Sequence, residues 1–155
     1  MLVTITLNGR PHTAETLPHT TLLDFLRAAG CFSVKCGCET SNCGLCTVHL
    51  NGKPVLSCSV LAVRAAGQAV TTLEGLQKEA EVFGGFLADE GGEQCGYCSP
   101  GFIMNVLAME AELGHDPGEQ AIKEYLAGNL CRCTGYQSQL RAIQKYLAAK
   151  GEGRL

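Results

Sequence analysis

The sequence predicts an α+β chain in two parts, a small mixed β-sheet carrying one helix and then a small all-helical bundle. Three observations carry this. Apolar and polar residues alternate over 3–7 and stop at Asn8-Gly9, and a second turn pair, Asn51-Gly52, separates two further short apolar runs. Beyond about Leu73 the apolar spacing becomes helical, with Ser99-Pro100 and Asp116-Pro117 as helix-start signals. The ten cysteines fall into one group in each part.

In order along the chain, Val3, Ile5 and Leu7 against Thr4 and Thr6 predict a strand that turns at Asn8-Gly9 into a second near 11–16. Thr20 or Thr21 caps a helix reaching about Ala29, with Leu22, Leu23 and Leu26 on one face and Gly30 as its stop. Residues 31–46 are rich in Gly, Ser, Asn and Cys and predict a loop. Cys46–Leu50 and Pro54–Ser57 predict a second hairpin, and a strand near 68–72 completes the sheet. Ser99 is the expected N-cap before Pro100, and Asp116 the expected N-cap before Pro117. The boundary falls within 73–84, giving domains of residues 1–76 and 77–155.

At 155 residues, each half is small enough for a hydrophobic core to need a further staple. A hydrophobic content of 46% and a net charge of -3 are globular values that exclude a polyanion as partner, so no nucleic acid is expected. The N-terminal MLVTITLNGR has no basic stretch followed by an apolar run, and Gly101–Met109 is too short for a membrane span. The expected setting is the cytoplasm. Because the cytosol keeps thiols reduced, ten cysteines there point to metal rather than disulfides.

Cys38-x4-Cys43-x2-Cys46, with Cys58 at the end of the second hairpin, has the plant-type spacing of a [2Fe-2S] ferredoxin. One loop wraps three thiolates, and the distant fourth pins it to the sheet. An anionic cluster needs backbone N–H donors, which Gly37 and Gly44 favour and the bulkier Glu39, Thr40 and Ser41 hinder. Cys36 could replace Cys38 only by lengthening the x4 gap, so Cys38 is the expected ligand, and Cys31 and Cys36 are expected to be partly buried thiols. The second set is Cys95-x2-Cys98 with Cys131-x-Cys133. Helix N-termini following Cys98 and Cys133 would direct positive charge at a reducible anionic centre. Two close cysteine pairs also suit a structural zinc, although C-x-C is an uncommon zinc half-site.

His12, His19, His49 and His115 are scattered, which excludes a Rieske-type site and predicts surface or loop positions. Phe102, Ile103, Val106, Leu107 and Leu113 are expected in the core, and Met104 and Met109 need no cofactor to explain them. No nucleophile with a base, phosphate-cradling loop or carboxylate pair is present, so the chain is expected to carry electrons rather than catalyse bond chemistry.

The segments CETSNCGLCTVHLNGKPVLSC, QCGYCSPG and GNLCRCTGY together resemble the iron-sulfur subunit or domain of the xanthine dehydrogenase family, over residues 5–147. The resemblance implies an N-terminal β-grasp [2Fe-2S] ferredoxin-like domain and an all-α four-helix [2Fe-2S]-binding domain with pseudo-twofold symmetry. By position it implies that Cys95, Cys98, Cys131 and Cys133 hold the cluster nearest molybdenum, with Gln94 and Cys133 at the pterin, and that Cys38, Cys43, Cys46 and Cys58 hold the cluster facing a flavin. Relatives usually carry more glycine where this chain has Glu39-Thr40-Ser41-Asn42. The implied role is a non-catalytic electron-transfer subunit of a molybdenum hydroxylase, passing electrons from a molybdenum-pterin centre on a large subunit to FAD on a medium subunit or to another acceptor. A heterotrimer or a dimer of heterotrimers is implied, with a purine or other N-heterocycle as substrate. A stand-alone two-cluster ferredoxin or redox sensor is the alternative.

Overall fold

The computed structural model describes residues 1–155. The first half contains β1 (Leu2–Leu7), β2 (Arg10–Glu15), α1 (Leu22–Ala28), β3 (Thr47–Leu50), β4 (Lys53–Leu56) and β5 (Ala69–Thr71). The second contains α2 (Gln77–Asp89), α3 (Ser99–Leu113), α4 (Gly118–Tyr125) and α5 (Gln137–Gly151).

The sheet order is β2-β1-β5-β3-β4, mixed because β5 runs parallel to β1 and antiparallel to β3. Both hairpins turn where expected. Asn8 and Gly9 have φ of 49° and 79°, and Asn51 and Gly52 have φ of 51° and 80°, so each pair supplies the two positive φ angles that a tight hairpin following the strand twist requires. Alternation sends Val3 and Ile5 inward, where they meet Leu22, Leu26, Val48 and Val70 in one apolar cluster. Thr21 caps α1 by accepting from the Asp24 N–H at 3.1 Å.

The helical half has its own cluster, including Phe83, Phe102, Val106, Ile143 and Tyr146. Tyr146 takes the rings of Phe83 and Phe86 edge-on, with centroids 5.1 and 5.8 Å away. Two helix starts differ from expectation. Cys98, not Ser99, occupies the cap of α3, with Ser99 already helical and its hydroxyl donating to Glu93 at 2.9 Å. Pro117 occupies the cap of α4, one residue past Asp116, and Gly118 at φ 75° begins the helix. Leu113, the last residue of α3, is 40% exposed rather than in the core.

The two halves join along α3 and β3. His49, expected at the surface, is buried on β3, and its Nε2 lies 2.7 Å from the Met104 carbonyl on α3, 55 residues away. Gly101 makes the close approach possible, since a Cβ there would fall 2.4 Å from the Gly44 carbonyl oxygen. The connecting segment is tied back to the sheet, with Thr72 N–H donating to Asn8 Oδ1 at 2.9 Å.

Candidate metal centres

The first cysteine set is built by a loop closing on the end of a hairpin. Cys46 immediately precedes β3, and Cys58 lies in a 3-10 turn following β4. The register Thr47↔Leu56 sets Cys46 beside Ser57, whose hydroxyl donates to the Cys46 carbonyl at 2.8 Å. Cys38 and Cys43 come from the loop. Gly37 lets that loop close, because a Cβ there would stand 3.1 Å from Cys43 Sγ. Glu39 and Ser41 take left-handed φ of 54° and 63°, costing about 1 kcal/mol each. In that conformation the N–H groups of Thr40 and Asn42 approach Cys38 Sγ at 3.5 and 3.4 Å. These donors hold the Cys38 thiol down at about 6. Bulky side chains therefore do not prevent N–H donation to sulfur, but they require left-handed backbone.

Burial pushes the Cys46 thiol up to about 11. At Cys58 burial acts in the same upward direction, but hydrogen bonds from Ser59, Cys46 and Ser41 outweigh it and the thiol is lowered. Cys36 turns away from this set and donates to Glu39 Oε1 at 3.0 Å, which raises its thiol to about 11. Cys31 is 5% exposed and packs in the sheet's apolar cluster.

The second set is assembled from two distant segments. Cys98 caps α3, where the helix's partial positive end favours an anion. Cys95 precedes it across the Gly96 turn, φ 74°. Cys131 and Cys133 lie in the connection before α5, which begins at Gln137 after Tyr136 at φ 71°. That start is four residues beyond Cys133, so no helix begins directly at Cys133. Thr134 Oγ1 donates to Cys131 Sγ at 3.2 Å, and the Cys131 N–H donates to Tyr136 Oη at 2.9 Å. Burial, then the neighbouring Cys131, pushes the Cys98 thiol up to about 12. Cys95 and Cys133 are exposed, while Cys98 and Cys131 are half-buried. Gln94 Nε2 donates to the Cys133 carbonyl at 3.1 Å.

The thiols are gathered in pairs: Cys38 with Cys43, Cys46 with Cys58, Cys95 with Cys133, and Cys98 with Cys131. The Cys95 and Cys133 sulfurs are 3.6 Å apart. A disulfide would need about 2.05 Å. Two thiolates on one tetrahedral metal with bonds of about 2.3 Å stand about 3.8 Å apart. The Cys95–Cys133 spacing thus fits two ligands of one metal atom, and two pairs per set match the ligand count of a two-iron centre.

Neighbouring residues bring the two sets together. The Leu130 N–H donates to the Cys43 carbonyl at 2.9 Å, one residue before Cys131. Tyr97, between Cys95 and Cys98, donates its hydroxyl to the Cys36 carbonyl at 2.8 Å. Tyr97, Asn129, Thr134 and Tyr136 lie inside the quoted cysteine motifs, yet sequence reasoning gave them no role. Their position between ligand cysteines was the available signal.

Two family models match, "2Fe-2S iron-sulfur cluster binding domain" over residues 5–79 and "[2Fe-2S] binding domain" over residues 72–144. The chain is 43% identical over 146 residues to the xanthine dehydrogenase iron-sulfur-binding subunit of Escherichia coli O157:H7, covering 89% of each. It is 40% identical over 137 residues to the nicotinate dehydrogenase small FeS subunit of Eubacterium barkeri, covering 86% of this chain and 87% of that one. Among solved structures, a chain of quinoline 2-oxidoreductase from Pseudomonas putida 86 superposes with a TM-score of 0.90 at 34% identity, covering 100% of this chain and 98% of that one.

Proposed function

The chain belongs to the iron-sulfur-binding subunits of the xanthine dehydrogenase family, and from that premise we propose that it is the electron-transfer subunit of a molybdenum hydroxylase. Cys38, Cys43, Cys46 and Cys58 hold one [2Fe-2S] cluster in a domain of residues 1–76. Cys95, Cys98, Cys131 and Cys133 hold the other in residues 77–155. The observation that carries this is the gathering of eight thiols into four pairs, two pairs to each set. Such clusters, when bound, supply one-electron redox chemistry at potentials tuned by hydrogen bonds to sulfur and by solvent exposure.

The chain's own residues give the two sets different tasks. Cys95 and Cys133 are exposed, and Gln94 holds the Cys133 carbonyl, so this edge faces the pterin on a large molybdenum subunit. Cys98 and Cys131 stand on the inner side, towards Cys43. The exposed loop 39–42 beside Cys38 faces the outgoing acceptor, FAD on a medium subunit. The assembly is a heterotrimer or a dimer of heterotrimers working in the cytoplasm, and no helix of the chain is long and apolar enough to cross a membrane. An N-heterocycle such as a purine is the substrate class of the complex, a reading supported by the xanthine, nicotinate and quinoline in the names of the similar proteins.

Metal and sulfide analysis of anaerobically purified protein tests the reading, with about four iron and four labile sulfide expected per chain and two distinct reduced-state EPR signals. Zinc in place of iron, or only half that iron, overturns it.

A further inference from the structure

Between the two cysteine sets lies a junction of three backbones, 43–45, the first turn of α3, and 128–130, and one side chain, Asn129, closes it. Asn129 is 6% exposed. Its Oδ1 accepts from Asn105 Nδ2, and its Nδ2 lies 3.5 Å from the carbonyl oxygens of both Gly44 and Gly101. That network fixes which way the amide faces. Nothing larger than glycine fits opposite it, since a Cβ at Gly44 would stand 2.6 Å from Asn129 Nδ2.

Three spaces meet at this residue. One is a cavity of about 310 Å³ between α3, α4 and α5, walled by Phe102, Ile122, Tyr136 and Leu140. Another is a groove of about 210 Å³ against the β3–β4 hairpin, bordered by Thr47, Pro54 and Asn105. The third is the gap among Cys43, Cys98, Leu130 and Cys131, which has no room for a water molecule. Asn129 borders all three, sharing the wall between the helical cavity and the dry gap with Phe102 and the wall between the groove and the gap with Gly44.

We propose that Asn129 is a positioning residue that keeps this gap closed and dry, and thereby sets the electronic coupling between the two clusters. The inference rests on the two-cluster reading above. One electron leaves the centre held by Cys98 and Cys131 and the same electron arrives at the centre held by Cys43, with no bond made or broken and no proton moved. Coupling of this kind falls steeply when a packed gap opens, and interiors packed to crystal density leave few openings larger than water. Removing Asn129 would join the gap to spaces that hold water and leave Asn105 unpaired.

The test compares wild type with Asn129→Ala and Asn129→Asp, each purified with both clusters. Asn129→Asp keeps the acceptor for Asn105 and the volume but loses the donor towards Gly44 and Gly101. Iron analysis and the two EPR signals of the wild type come first, and their absence there is a failure of the two-cluster reading alone. With both clusters present, the rate at which one electron equilibrates between them after flash photoreduction should fall in Asn129→Ala, with a smaller fall in Asn129→Asp. Deuterium modulation of the EPR echo after exchange into D2O should rise in the same order. If Asn129→Ala does not retain both clusters, Asn129→Asp decides. An unchanged transfer rate and unchanged deuterium access in a variant with full iron would overturn the proposal, and so would a variant that gains deuterium access with no loss of transfer rate.

Discussion

The two cysteine sets solve one problem in opposite ways. The first lies within residues 38–58, and chain conformation makes it: a loop in left-handed turns brings N–H groups to Cys38, and one hairpin supplies Cys46 and Cys58. The second joins 95–98 to 131–133, and element packing makes it: α3 fixes Cys98, while the connection running into α5 fixes Cys131 and Cys133. Their electrostatics nevertheless follow one pattern, a lowered thiol beside a raised one. Backbone donors hold Cys38 down at about 6 while burial pushes Cys46 up to about 11, and in the second set burial drives Cys98 up to about 12 while hydrogen bonds outweigh burial and lower Cys131. A locally made site depends on backbone dihedrals, and an assembled one on a hydrophobic core some distance away.

The largest expected effect breaks one site at a time. Cys43→Ser should cost about two of the four irons yet leave the helical-domain centre reducible by substrate in the assembled complex, with delivery to the onward acceptor blocked. Cys133→Ser should stop reduction of every iron centre. Rapid-freeze EPR after substrate addition, with molybdenum and the untouched cluster verified by metal analysis, separates the two, and normal reduction of the onward acceptor in Cys133→Ser would reverse the order of transfer. Within the first loop, Cys38→Ser should lose that cluster and Cys36→Ser should keep both, because the Cys36 thiol already points to Glu39. Iron content decides between them.

A core change sharpens the contrast without touching a ligand. Phe83 is fully buried against Tyr146 and Phe102, so Phe83→Ala should destabilise the helical bundle by about 3–5 kcal/mol. On heating, the second cluster's visible circular dichroism should then disappear at a lower temperature than the first's. Simultaneous loss of both would mean that the α3–β3 junction makes the halves one cooperative unit.

What the sequence revealed divides along the same line. Both hairpins were legible because Asn-Gly acts through its own two residues, and the eight cysteines could be picked out as candidate ligands because metal spacing is local within each motif. His49 was not legible, since its partner is a carbonyl 55 residues away, and neither was Asn129, whose contacts reach 85 residues back to Gly44. Leu113 has the right helical spacing for the core, but spacing does not say which side chains of a last turn stay covered. The left-handed Glu39 and Ser41 are a different case: local sequence argues against them, and they take that conformation where the loop brings N–H groups to a thiol.

The smallest effect tests whether the segment between the domains is held by charge. Glu74 follows β5, and its carboxylate accepts from the Ser33 N–H at 2.9 Å, the Ser33 hydroxyl at 2.6 Å and the Thr72 hydroxyl at 2.6 Å. Burial of the carboxylate pushes its pKa up, but the bonds from Ser33 and Thr72 outweigh burial and leave it below the usual carboxylate value of 4.5. A lowered folded pKa means the stabilisation is complete above the unfolded value and fades only as pH falls through the folded one. Glu74 is exposed on its outer side, so solvent screening limits the gain, and Glu74→Gln should cost about 0.5–1 kcal/mol. Denaturant unfolding of wild type and Glu74→Gln at pH 7 and at pH 5.5 should give the same difference at both, since both lie above 4.5. A difference that grows as the pH falls from 7 to 5.5 would mean that burial dominates the hydrogen bonds and raises the carboxyl pKa, and the connection from β5 to α2 would then owe its order to packing rather than to this carboxylate.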